Sequence, residues 1–226
     1  MLASIFQAAG YKTGLYTSPY IVEFGERIQV NGQMISNDDI CALTEYVKPF
    51  AESIFEQPTE FEMVTAIGFE YFARQKCDIV VCEVGMGGEF DATNVILPPE
   101  VAILCNIGLD HTEVLGDTLE KIAATKSGII KPGCDAVIYR EQPSVEAVFE
   151  ERCAKVGAKL HKADFDSIRL RSHGLEGQVS RSVKRRPGVQ PHDEQRRGQC
   201  VGQRIVLRND ANGFHSAFGG AAGMRV

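Results

Sequence analysis

No apolar run in this chain reaches the roughly 18 residues that a membrane-spanning helix requires. The N-terminus has neither a basic n-region nor a signal-peptide cleavage pattern. No C-x-x-C pair occurs among the seven cysteines, which stand at positions 41, 77, 82, 105, 134, 153 and 200. An odd, scattered set argues against a disulfide framework and reads as reduced thiols of a cytoplasmic protein, several buried in strands. A phosphate loop of the form G-x-x-x-x-G-K-[ST] is absent. Basic charge is scarce through most of the chain: residues 1–179 hold 15 Lys and Arg against 27 Asp and Glu. So acidic a body argues against nucleic acid as its natural partner.

What is present is apolar material, 44% of the residues, enough for a real core. A short apolar helix from Met1 to Ala9 is closed by Gly10. A strand over Thr13 to Thr17 is broken by Ser18-Pro19. Arg27 to Ile35 reads as a hairpin, because Asn31-Gly32 is the favoured type I′ turn pair. Ser36 or Asn37 caps a helix to about Phe55, with Ile40, Leu43, Val47, Phe50 and Ile54 at helical spacing. Pro49 is expected to kink or divide it. Helix then alternates with strand: Phe61 to Gln75 with Ile79 to Val84, Leu119 to Thr125 with Ala136 to Tyr139, and Val145 to Val156 with Lys159 to His161. This alternation predicts an α/β fold, a mainly parallel sheet flanked by helices.

The most informative stretch is Cys82-Glu83-Val84-Gly85-Met86-Gly87-Gly88-Glu89-Phe90-Asp91-Ala92-Thr93-Asn94. A carboxylate leaves a buried strand and enters a glycine-rich loop, which is where an open parallel sheet binds ligands. Glycine lets backbone N–H groups approach an anion, and a neighbouring carboxylate can hold a cation such as Mg²⁺. The strand Val101 to Cys105 repeats the design with a polar end, Asn106 to Thr112. Glu83 and His111 therefore point to one shared site, with Gly85, Gly87, Gly88 and Asn106 on its anion-facing side.

Beyond Ser180 the texture changes. Residues 180–226 hold nine Lys and Arg against three Asp and Glu, with no sustained period. Leu, Ile, Val and Phe supply nine of these 47 residues, just below the roughly 20% level associated with disorder. The expectation is an irregular or disordered basic tail over 180–226. A run such as Cys200 to Leu207 could form a strand, but the sequence offers it no nearby core.

Six motifs occur in order: TGLYTSP at 13–19, ERI at 26–28, FE at 61–62, EVGMGG-x-x-DATN at 83–94, NIGLDHT at 106–112 and KSGIIKPG at 126–133. Together they resemble the folylpolyglutamate synthase and dihydrofolate synthase family of Mur-ligase-like, ATP-dependent ligases. The resemblance covers about residues 1–179. It implies a large N-terminal ATPase domain and a smaller Rossmann-like C-terminal domain. It also implies a reaction: ATP phosphorylates a carboxylate of folate or dihydropteroate, and the amine of L-glutamate attacks the acyl phosphate. Cofactor and co-substrate would be Mg²⁺ and ATP, in a monomeric cytoplasmic enzyme.

The resemblance also implies roles. Glu83, His111 and Ser18 match metal ligands, although each has a plainer use, as a loop cap, a hydrogen-bonding histidine and turn chemistry before proline. Lys126 matches a lysine that becomes carbamylated, and Asp110 could orient His111 or contact nucleotide. Thr59, Glu60, Phe61 and Glu62 match a pterin-contacting region, as do Phe90, Asp91 and Ala92; helix capping and loop packing are the plainer readings.

The chain departs from the family in places. Tyr20 stands where histidine is usual and Glu89 where arginine is usual. The family's phosphate loop precedes its first helix, yet Met1 already lies inside what resembles that helix. The pattern stops after residues 167–179, as a shifted reading frame would produce. The expectation is an N-terminal fragment: a partial ATPase domain over 1–179 with little or no ligase activity of its own. Alternatives are a non-catalytic pterin or Mg-nucleotide binding remnant, another Mur-like amide ligase, or a nucleic-acid binder acting through its basic tail.

Overall fold

The alternation of helix and strand resolves into one eight-stranded sheet of order β3-β2-β1-β4-β10-β5-β6-β7. The structure, a computed structural model, describes residues 1–164, 166, 168–174, 177–182 and 204–208. The strands are β1 (Thr13–Tyr16), β2 (Ile28–Val30), β3 (Gln33–Met34), β4 (Ile79–Glu83), β5 (Val101–Leu104), β6 (Asp135–Ile138), β7 (Lys159–Lys162) and β10 (Arg204–Arg208). β1 is parallel to β4, β5 to β6 and β6 to β7. β10 is antiparallel to both β4 and β5. Strands β1, β4, β5, β6 and β7 therefore all run one way, as expected, and their carboxyl ends share one edge. A separate hairpin pairs β8 (Ile168–Gly174) with β9 (Gly177–Ser182).

Local chemistry accounts for the element ends. Asn31 and Gly32 both take positive φ, 50° and 75°, the conformation a type I′ turn needs between β2 and β3. Ser36 caps α2 (Asn37–Glu52) by accepting the Asp39 N–H at 3.1 Å. Pro49 sits in the last turn of α2 without dividing it, and the helix stops three residues later, short of Phe55. Thr59 and Glu62 form a capping box on α3 (Glu60–Arg74). Helix α1 is Leu2–Ala8, α4 Thr112–Leu115, α5 Leu119–Ser127 and α6 Pro143–Val156.

Side chains from β1, β4 and α3 interlock in the core, where Tyr16, Phe72 and Val80 are fully buried. Gly14 permits this approach. A Cβ there would lie 2.8 Å from Phe72 Cδ1 and 2.9 Å from Val80 Cγ2. Gly14→Ala is expected to destabilise the protein by about 1–3 kcal/mol through overpacking. A urea melt checks this, and an unchanged midpoint would refute the close approach of α3 to β1.

The sheet corrects the reading of the tail. Arg204–Arg208 is not irregular: it is a central strand, with Val206 buried between Val81 of β4 and Val101 of β5. The core that the sequence did not offer this run is the slot between those two strands. Residues 180–182 likewise belong to β9. The remainder of the expected tail, 183–203 and 209–226, lies outside the described residues.

Candidate active site

The carboxyl edge of the parallel strands gathers the loops after β1, β4, β5 and β6, the position where open α/β sheets bind ligands. Glu83 is the last residue of β4 and is half-buried. Its Oε2 accepts the backbone N–H of Ser18 at 3.3 Å, so the loops after β1 and β4 meet there. The loop after Ser18 is held by Glu26, whose carboxylate accepts the N–H groups of Ile21, Val22 and Glu23 at 2.8, 3.1 and 3.0 Å. Those donors, Ile21 first, hold the Glu26 carboxyl below its ordinary range.

The glycine-rich loop closes on itself. Met86 N–H donates to Asp91 Oδ2 at 2.8 Å, Asp91 N–H to Gly88 O at 3.2 Å, and Glu89 N–H to Thr125 O at 3.1 Å. Those three amides are therefore engaged within the protein. A Cβ at Gly85 would lie 2.5 Å from Phe61 Cζ, and one at Gly88 only 2.7 Å from Lys126 O. Gly85 and Gly88 thus serve close packing against α3 and the end of α5, while Gly87 takes φ +70° in the bend. Lys131 Nζ fastens the far side of the loop by donating to the carbonyls of Asn94 and Ile96, each at 2.6 Å.

On the expected acceptor side, Phe61 packs edge-on to Tyr16, with ring centroids 6.2 Å apart. Tyr16 is fully buried, its hydroxyl 3.0 Å from Thr65 Oγ1, and burial pushes that hydroxyl well above its ordinary pKa. Asp91 is buried and caps the 3-10 turn Ala92–Val95 by accepting the Thr93 N–H at 2.9 Å. Thr59 N–H donates to Glu62 Oε2 at 2.6 Å, so these two side chains cap α3. Glu60 is exposed in the first turn of that helix, and Phe90 stands 91% exposed. The structure brings Phe61 and Asp91 together across Gly85 and leaves Phe90 in solvent.

Beyond β5, the Ile107 N–H donates to Glu141 Oε1 at 2.6 Å, fixing this loop to the end of β6. Asn106 is exposed at the loop's start. His111 takes the left-handed conformation at φ 49° and N-caps α4. Its N–H donates to Asp110 Oδ1 at 2.9 Å, and its Nε2 lies 3.8 Å from Asp110 Oδ2, both side chains largely exposed. Lys126 is half-buried in the last turn of α5. Burial lowers its pKa, and the nearby Asp110 carboxylate and Cys105 oppose that shift. Asp110 thus lies beside His111, and its charge is felt at Lys126.

Among the described residues no three His, Cys, Asp or Glu side chains converge as a metal cluster. What the edge offers instead is the Glu83 carboxylate, which Ser18 of the adjoining loop meets through its backbone N–H. A carboxylate oxygen suits Mg²⁺, which binds one or two protein oxygens and keeps several waters. Three contributors escaped the sequence reading. Lys131 stood inside KSGIIKPG without a role. Arg27 stood inside ERI. Glu141 carried no local signal, because its partner Ile107 lies 34 positions away.

Residues 36–186 match the family described as Mur ligase middle domain. The chain is 44% identical over 172 residues to the dihydrofolate synthase/folylpolyglutamate synthase of Bacillus subtilis strain 168, covering 74% of this chain and 39% of that protein. A solved structure described as an FPGS–AMPPCP–folate complex matches with a TM-score of 0.73 and 32% identity, over 80% of this chain and 46% of that one. Another, a bifunctional folylpolyglutamate synthase/dihydrofolate synthase with Mn, AMPPNP and L-glutamate bound, matches with a TM-score of 0.67 and 31% identity, over 81% and 43%. The chain spans less than half the length of each of these relatives.

Proposed function

From the premise that this chain belongs to the Mur ligase middle-domain family, we propose that it supplies the metal and acceptor side of an ATP-dependent ligase. That ligase would join L-glutamate to a folate or to dihydropteroate. The observation that carries the reading is the meeting of Glu83 and Ser18 at the carboxyl edge, on a chain whose relatives bear these activities in their names. Glu83 and Ser18 would hold Mg²⁺, with His111 reaching it from the loop after β5. The metal, when bound, neutralises charge on the phosphate oxygens of ATP. Phe61 and the Asp91 turn would form a wall for the flat acceptor ring, and Asn106 with the glycine loop would face the nucleotide.

Lys126 has a distinct part in this reading. Its burial favours the neutral amine, which attacks carbon dioxide, forms a C–N bond and releases one proton. The carbamate so made is an anionic oxygen ligand. A carbamate carbon signal in ¹³C spectra taken in labelled bicarbonate is expected, and Lys126→Met should abolish it. A spectrum unaltered by that substitution removes this role.

Calorimetry tests the acceptor. Dihydropteroate or folate is expected to bind, and a nucleotide-linked cell-wall precursor is not. The reverse preference would place the chain with another amide ligase of the family. In that work Mn²⁺ serves as a spectroscopic probe for the metal.

A further inference from the structure

Arg27 is a half-buried cation with one N–H that finds no acceptor among the described residues. Its side chain is only 12% exposed. Its Nε is buried with no hydrogen-bond partner. Among the described residues its one carboxylate neighbour is Glu60, 3.5 Å from Nη1 and itself 73% exposed. The rings of Tyr20 and Phe24 lie 5.1 and 5.3 Å from the guanidinium carbon. Aromatic faces attract the cation, but they do not accept hydrogen bonds from its N–H edge as an oxygen would. Leaving that one N–H of a charged group buried and unmet is costly.

The position of this arginine gives the unmet N–H a use. The Thr17 N–H donates to the Arg27 carbonyl at 3.0 Å, so Arg27 sits at the sheet's carboxyl edge, opposite the residue before Ser18 in the loop after β1. On its other side Glu60 opens α3, the helix that carries Phe61. The Arg27 charge is also felt at the Tyr16 hydroxyl, the ring against which Phe61 packs. Arg27 therefore touches both the loop after β1, which meets Glu83, and the start of the helix that carries Phe61.

We propose that Arg27 binds the carboxylate of the acceptor, its fork taking both oxygens and Glu60 yielding the place it holds without ligand. The proposal rests on the ligase reading above. A planar guanidinium matches a carboxylate in a bidentate fashion that lysine cannot copy. Glu60, exposed and at 3.5 Å, is a loose partner that a bidentate ligand displaces. Tyr20 and Phe24 hold the guanidinium plane in place meanwhile.

The test compares dihydropteroate with its neutral carboxamide analogue by calorimetry on the whole chain. Wild-type protein is expected to prefer the carboxylate by about tenfold or more, the scale of one charge-assisted pair. Arg27→Met should erase that preference while leaving carboxamide binding within about twofold. Arg27→Lys should keep only part of it. Glu60→Gln leaves the fork intact and frees it, so carboxylate affinity should rise by a few-fold. Loss of both ligands in equal measure in Arg27→Met, with Glu60→Gln unchanged, would overturn the proposal and leave Arg27 a structural residue. Failure of wild-type protein to bind either compound would overturn the ligase reading itself, and this inference with it.

Discussion

Glu83→Gln is expected to weaken Mn²⁺ binding by about tenfold or more. The argument is one of charge at fixed shape. Glu83 ends β4 half-buried, with Ser18 N–H donating to Oε2. Glutamine keeps an oxygen that can accept that bond, so the join between the two loops survives. What it loses is the anionic oxygen that a hard divalent cation requires. Folding stability should therefore stay within about 0.5 kcal/mol while metal affinity falls. Electron paramagnetic resonance of Mn²⁺ measures the first effect and a urea melt the second. Metal binding unaltered by the substitution would remove Glu83 from the metal site. A large loss of stability with no specific change in affinity would make it a loop cap, the plainer reading.

Much of this site was legible because its signals are local. The carboxylate at the end of an apolar strand, the three glycines beyond it, and the DATN turn read directly as a strand-end loop. The structure alters what the glycines do. Gly85 and Gly88 leave room for Phe61 and for the backbone at Lys126, contacts 24 and 38 positions away, and no local pattern reports such packing. Thr59 and Glu62 show the converse. Their spacing is a capping signature, and in the structure their polar atoms bind one another at 2.6 and 2.7 Å. Glu141 and Lys131 were illegible for the same reason as the glycines: each secures a loop through backbone groups distant in sequence. Arg27 lay in a recognised motif, but its significance is one buried N–H without an acceptor, a surrounding set by residues distant in sequence.

The strand least visible in the sequence carries the second large expectation. Val206→Asp should destabilise the protein by about 3 kcal/mol or more, because it places an unpaired carboxylate in the middle of the sheet. Composition concealed β10: the basic, glycine-rich text around it lowers every local average, and among the described residues of that text only five, Arg204–Arg208, enter the sheet. Those five residues span the slot between β4 and β5, pairing Val206 with Val81 on one side and Val101 on the other. The two strands that carry Glu83 and the Asn106 loop are thus joined through β10 alone in the sheet order. Without it each would present an unpaired edge. A lesion at Val206 is therefore expected to lower metal affinity along with stability, unlike Glu83→Gln, which lowers affinity by itself. A shift in urea stability of less than about 0.5 kcal/mol, the range of an ordinary surface substitution, would show that residue 206 is not buried between these strands. In that event β4 and β5 would need another strand to bring Glu83 and the Asn106 loop to one edge.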